Sequence, residues 1–289
     1  MPTGRHGLAV GVVDSTLYAI GGLDSNGVDL AIVEAYDPAM DRWSARAPMP
    51  TARHGLAAGV INGIIYAVGG RVGASASAVV EAYDPQTNTW STRASMPTAR
   101  SDLAAAVAGG RLYAVGGRVA ATGAITGAGS AVVESYDPAS DGWRAETPMP
   151  TARWGLAAGT AGGAVFALGG FDGSTSGSQV VERFDPSGGT WSSPGNLAVP
   201  RGLLAAGVTT DTILIVGGTL ANYHQSRSWW EQCSFAGGNC TFDQDVPQAT
   251  EDLAVGVIHG KLYAVGGSYI SGSTQPDVLA LHSVQELTP

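Results

Sequence analysis

Three sets of side chains in this sequence stand where they can do chemistry. Arginines recur at Arg5, Arg53, Arg100, Arg153 and Arg201, at steps of 48, 47, 53 and 48 residues. A ring of guanidinium groups can bind carboxylate or phosphate through paired hydrogen bonds that lysine does not reproduce. Glutamates keep step with them at Glu34, Glu81, Glu134, Glu182 and Glu231, so the same arginines can equally be neutralised inside the protein. The third set breaks the rhythm: His6, His54, Asp102 and Trp154 beside the arginines, then Tyr223, His224, Glu251, Asp252 and Tyr269. Histidines near carboxylates can act as base and acid where their surroundings separate their pKa values. A catalytic reading therefore falls on Glu251, Asp252, His54 and His224.

No nucleophile or cofactor signature accompanies these residues. The chain has no G-x-S-x-G, no phosphate-binding loop, no H-E-x-x-H and no Cys/His cluster at ligand spacing, and the expectation is no metal and no cofactor. Its net charge of −9, with Lys261 the only lysine, argues against nucleic acid as a partner. No apolar run approaches the ~18 residues that a spanning helix needs. Met1 opens directly into repeat sequence without a signal peptide. The expectation is a monomer without a membrane span.

The elements that position these residues follow from six double glycines: Gly21-Gly22, Gly69-Gly70, Gly116-Gly117, Gly169-Gly170, Gly217-Gly218 and Gly266-Gly267. A unit near fifty residues that ends a β-rich phrase in this way cannot bury both faces of its sheet alone, so neighbouring units must stack. Each unit opens with a strand A rich in Ala and Gly, as in His54-Gly55-Leu56-Ala57-Ala58-Gly59, small enough to crowd around an axis. A two-residue turn such as Asn62-Gly63 leads into strand B, Ile64-Ile65-Tyr66-Ala67-Val68. Strand C is the Val-Val-Glu-Ala-Tyr phrase, and an Asp-Pro turn leads to a tryptophan on strand D. With no linker between them, the units read as one domain, 1–289, divided at about 1–49, 50–97, 98–150, 151–198, 199–249 and 250–289.

The double glycine, the Tyr36, Tyr83, Tyr136 and Phe184 series and the Trp43, Trp90, Trp143 and Trp191 series together resemble the Kelch family of β-propellers. The resemblance implies an all-β fold of six four-stranded blades, with strand A innermost and D outermost. It also implies a ligand at the channel mouth formed by the D to A and B to C loops. In peptide-binding members, arginines opening strand A hold acidic ligands. Carried over by position, that points to Arg53 and Arg100, with Arg71 and Arg118 just after two double glycines. Trp154, Tyr223, His224, Asp252 and Tyr269 join them as ligand-binding candidates. The loops Arg118 to Ala131 and Thr219 to Ser228 would wall the site. The iron and copper chemistries of some family members do not carry over: the Glu-x-x-x-Asp-x-x-x-His motif is absent, and a cysteine-tyrosine crosslink needs a cysteine, whereas the two here, Cys233 and Cys240, have a structural reading of their own. The leading expectation is a noncatalytic module that binds a peptide, protein loop or small anionic ligand. The alternative is a small-molecule isomerase, lyase or hydrolase acting on a sugar or acid.

Two units depart from the pattern. In the fifth, Cys233 and Cys240 stand at the aromatic and tryptophan positions, seven residues apart across the C to D hairpin. Facing hairpin positions suit a disulfide, and a bridge would favour an extracytoplasmic or secreted protein. In the sixth, Val278 to Ser283 reads as strand C and strand D is missing, so this blade is expected to be three-stranded. The arginine is read as lost at Glu251 and the glutamate as lost with it at Ala280. Closure is expected through face packing of the first and sixth units, without an exchanged strand.

Overall fold

The computed structural model describes residues 1–119, 128–173, 176–209, 212–220, 229–234, 240–245, 250–270, 278–280 and 284–287. Its sheets are antiparallel and repeat the order A-B-C-D. In the first unit these are Ala9–Val13, Thr16–Ile20, Val33–Asp37 and Arg42–Ala45. Among the described residues there are five such four-stranded sheets and a three-stranded one at the C-terminal end. Strand A of each sheet adjoins strand A of the next, and Ala254–Ile258 of the last adjoins Ala9–Val13 of the first. The sheets thus stand radially around an axis, and the molecule is a β-propeller with four-stranded blades.

Small residues on strand A permit this crowding. A Cβ on Gly59 would come within 2.8 Å of Leu112 in the neighbouring sheet, and one on Gly11 within 2.8 Å of Ile65. The core lies between sheet faces, each cluster drawing on two neighbours. Tyr18, Ile20 and Val33 of unit one, for example, pack with Leu56, Ile65 and Tyr83 of unit two.

The double glycines fasten one unit to the next. Gly21 and Gly22 adopt φ of 64° and 109°, and Gly22 N–H donates to the carbonyl of Arg53 in unit two at 3.0 Å. A Cβ on Gly21 would lie 2.7 Å from that carbonyl oxygen. The last pair returns to the beginning, Gly267 N–H donating to Arg5 O at 3.0 Å. Leu8, Leu17 and Tyr36 of unit one bury against Ala254, Tyr263 and Val265 of the last sheet. Among the described residues no strand is exchanged across this seam.

The C to D hairpins bear out the aromatic spacing. Tyr36 faces Trp43, with ring centroids 5.1 Å apart, and the pairs in units two to four repeat this at 5.1, 5.2 and 5.1 Å. In unit five Cys233 pairs with Cys240 at a Cα separation of 4.0 Å and the two form a disulfide, as the alignment of the units anticipates.

The last sheet departs from expectation. Its third strand is Val284–Leu287, paired with Lys261–Val265, whereas Val278–Ala280 pairs with Ser268–Ile270 in a separate ribbon. Leu287 thereby stands opposite Leu262, where other units set an aromatic, and Gln285 opposite Ala264, where they set glutamate. At the start of strand A the carbonyl that meets the double glycine belongs to Thr250. The arginine is therefore lost at Thr250, not Glu251, and the glutamate at Gln285, not Ala280. Both replacements are neutral, so cation and anion still disappear together.

Candidate functional site

The five arginines lie beneath the mouth rather than in it. Arg5, Arg53, Arg100, Arg153 and Arg201 are all 0% exposed, and each forms an ion pair with its unit's glutamate. Arg153 Nη2, for instance, reaches Glu182 Oε2 at 2.6 Å, while Nη1 donates to the carbonyls of Gly169 and Val180. The second glutamate oxygen accepts the hydroxyl of Thr3, Thr51, Thr98 or Thr151, two residues before the arginine. A guanidinium that is 0% exposed and ion-paired in this way presents no surface at the mouth. Arg53 and Arg100, expected as ligand contacts, are two of these buried, ion-paired arginines.

Above it, the residue two places after each arginine position forms a closed ring. Gly7, Gly55, Asp102, Gly155, Leu203 and Asp252 each donate a backbone N–H to the carbonyl of the preceding member, and Gly7 donates to Asp252, at 2.7 to 2.9 Å. All six have φ between 51° and 59°. Glycine suits that region and three members are glycine; aspartate tolerates it better than leucine does. These six and the leucine after each line a cavity of about 90 Å³ on the axis. Asp102 and Asp252 are three places apart in the ring of six and thus face each other across it.

Two further residues per unit surround the ring, one just before the ring residue and one just after the double glycine. Their backbones bridge: His6 with Leu23, His54 with Arg71, Ser101 with Arg118, Trp154 with Phe171, Gly202 with Thr219, Glu251 with Ser268. His6 Nδ1 bonds Asp252 Oδ2 at 2.8 Å, and His54 Nδ1 bonds Asp29 Oδ1 at 2.5 Å. Arg118 lies with Cζ 3.3 Å from the Trp154 ring centroid and Nε 3.5 Å from Asp102 Oδ2. Trp154 packs on Phe171 with centroids 4.7 Å apart, and a Cβ on Gly202 would strike the Phe171 ring. Arg118 and Trp154 are buried, and Arg71 is half-buried.

Electrostatics divide this mouth. Burial raises the Asp102 pKa, the charge of Asp252 adds to that, and Arg118 opposes both. Burial also pushes Asp252 upward, yet the hydrogen bond and charge of His6 outweigh it and hold Asp252 below its usual range. His6 is pulled down by burial but ends raised through its bond to Asp252. Glu251, 4% exposed and beside that negative charge, is pushed up to about 8.

Of the residues singled out from sequence, His6, His54, Arg71, Asp102, Arg118, Trp154, Glu251 and Asp252 come together here. Tyr223 and His224 lie outside the described residues, as does most of both expected wall loops, and Tyr269 is described only through its backbone. Asp29, Ser101, Phe171 and Thr219 were missed. The position after each double glycine would have found Phe171 and Thr219; nothing in the repeat marks Asp29.

The family model for the Kelch motif matches residues 4–50, 52–97, 99–150 and 153–197. The chain belongs to the Kelch-repeat family. No curated protein matches it. Among solved structures, that of YjhT superposes with a TM-score of 0.79 at 16% identity, covering 100% of this Kelch chain and 96% of that one. At that identity the likeness concerns the fold. The four matched motifs are the four units that keep the Tyr or Phe and Trp pair.

Proposed function

We propose that this chain is a single domain over residues 1–289, a six-bladed Kelch propeller whose mouth is a recognition site. The ring of six hydrogen-bonded residues and the return of the last double glycine to Arg5 support the blade count. A binding role is supported by one contrast above all: scaffold positions repeat from unit to unit, whereas the two positions flanking the ring vary, repeating only as His6 and His54 and as Arg71 and Arg118. The opposed Asp102 and Asp252 favour a hydroxyl- or amine-bearing group over the throat, offered by a small molecule or by the tip of a peptide or protein loop. An anionic ligand loses its main support, because the guanidinium groups that suggested it are held by glutamates. Arg71, Arg118, Trp154 and Asp252 remain the proposed contacts, with Asp102 and His54 added. A thermal-shift screen of amines, polyols, sugars and peptides tests this: a ligand at a hundred times its Kd raises stability by about 2.7 kcal/mol. Hits whose affinity is unchanged in Asp102→Asn and Asp252→Asn variants would place recognition elsewhere.

One observation favours the catalytic alternative. Asp102 and Asp252 line one cavity with pKa values displaced in opposite directions, the pattern of an acid and a base. Turnover of any hit from the same screen, abolished in both variants, would favour that reading over simple binding.

A further inference from the structure

In units one to three, polar side chains that flank the ring reach an aspartate. His6 bonds Asp252, His54 bonds Asp29, and Ser101 Oγ donates to Asp102 Oδ2 at 3.1 Å. Arg118 lies against Asp102 and the Trp154 ring. Units five and six differ. The flanking position of unit five is Gly202, which brings no side chain, and its bridge partner is Thr219; in unit six the bridge joins Glu251 to Ser268. Thr219 is 0% exposed and Glu251 4%, yet neither Thr219 Oγ1 nor Glu251 Oε2 has a hydrogen-bond partner among the described residues. Buried polar atoms are nearly always bonded, and each exception calls for an explanation.

The two groups adjoin. Burial and then the charge of Asp252 push the Glu251 pKa up to about 8, while the Thr219 side chain and His6 draw it down, so Thr219, His6 and Asp252 all face the Glu251 carboxyl. The Thr219 hydroxyl stands beside that carboxyl without a bond of good geometry to it. Glu251 therefore keeps its proton at neutral pH, and both groups are uncharged. Each can donate one hydrogen bond and accept others. A hydroxyl suits such a pair, because it donates and accepts in turn. An ammonium only donates, and it carries a charge that two neutral partners do not offset. The residue after Glu251 is Asp252, which lines the axial cavity, so this corner is one residue away from the throat.

We propose that Thr219 and Glu251 form a second polar subsite of the mouth, which reads one hydroxyl of a ligand whose first polar group lies over Asp102 and Asp252. The inference rests on the reading of the mouth as a recognition site and narrows it. The ligand is a small polyol or sugar with neighbouring hydroxyls, since the two subsites sit on adjacent residues and the second is neutral. Binding supplies the hydrogen bonds that the two buried oxygens do not find within the protein, and a ligand lacking the second hydroxyl leaves them unmet. A site built to bond a hydroxyl discriminates strongly against the analogue without it.

The test titrates the full chain by calorimetry with glycerol, myo-inositol, D-glucose and D-galactose, and with the single-deoxy forms of both sugars. Saturable binding is expected, weakened by Asp102→Asn and Asp252→Asn as the mouth reading requires. One sugar hydroxyl should then couple to Thr219: removing it costs the parent protein about five- to tenfold in affinity and costs Thr219→Val nothing further. Thr219→Ser, which restores the hydroxyl, should recover binding. Glu251→Met should weaken binding by a similar factor, with recovery in Glu251→Gln, whose uncharged amide still donates and accepts. If the aspartate variants weaken binding but Thr219→Val and Glu251→Met do not, the mouth reading stands and this subsite falls. The subsite also falls if Thr219→Val weakens a sugar and all its deoxy forms alike, which marks an indirect effect. Equal losses in Glu251→Gln and Glu251→Met overturn it too, because the contact would then be an ionised carboxylate. No saturation by any probe at tens of millimolar, or binding indifferent to all of these variants, overturns the subsite and the mouth reading together.

Discussion

The buried Arg-Glu layer and the mouth above it are built on adjacent residues of the same six strand starts, yet they obey opposite rules. Below, five units carry the same ion pair with the same threonine or backbone support, and the unit that loses the arginine sets neutral residues at both positions. One residue further along the chain, the corresponding positions hold His6, His54, Ser101, Trp154, Gly202 and Glu251, no two neighbouring pairs alike after the first. Repetition marks the part that every unit needs for its own cohesion. Variation marks the part that only the assembled ring can use.

The sharpest way to break that contrast is to delete one scaffold anion. Glu182→Ala leaves Arg153 buried without its counter-charge and should cost about 3–5 kcal/mol in denaturant unfolding, whereas replacing both partners by apolar residues should cost much less. Next in size is a pH effect confined to the mouth. Folded Glu251 keeps its proton to about 8, while an unfolded glutamate releases it near 4.5. The folded state thus binds more protons between those values, and stability falls as pH rises across that window. Glu251→Gln should remove the largest part of the fall, leaving the smaller share from the raised Asp102 and His6 and the variant about 2 kcal/mol or more above the parent at pH 8.5 and close to it at pH 4, because one pKa unit is worth about 1.4 kcal/mol. Equal slopes in the two proteins would sink that account.

Smaller effects sharpen the comparison further. Reducing the Cys233–Cys240 disulfide, which closes a short loop, should cost about 2 kcal/mol, and unfolding with and without reductant reads it directly. Asp102→Asn should change stability by less than about 1 kcal/mol, since asparagine also tolerates the left-handed backbone, while altering ligand affinity far more. A mouth substitution that destabilised as strongly as Glu182→Ala would erase the distinction between the two layers.

Much of this is legible in the sequence. The double glycines carried the period because each must dock on a carbonyl of the next unit with φ positive, a demand that few other residues meet. Aligning on them turned Cys233 and Cys240 into a facing pair. Reading failed where spacing stopped being enforced. The apolar run at Val278 reads as strand C of the last unit, but a short apolar run fits a ribbon as well as a blade, and pairing with Lys261–Val265 decides the register. Thr250 carries no arginine to mark the start of strand A, so the sequence pattern points one place too far, to Glu251. Nothing local to Arg118 signals that Trp154 and Asp102 pack against it. Convergence across blades is a property of the ring, and no single repeat encodes it.

The circle of N–H to carbonyl bonds through Gly7, Gly55, Asp102, Gly155, Leu203 and Asp252 bears on how the protein comes apart. A linear array of repeats frays from its ends, because a terminal repeat has only one neighbour to lose. A cycle has no end. Loosening any one unit here breaks two bonds of the circle and two packed faces at once, so partial unfolding blade by blade should be suppressed in favour of a single cooperative opening. The slowest-exchanging amide protons are expected to include these six.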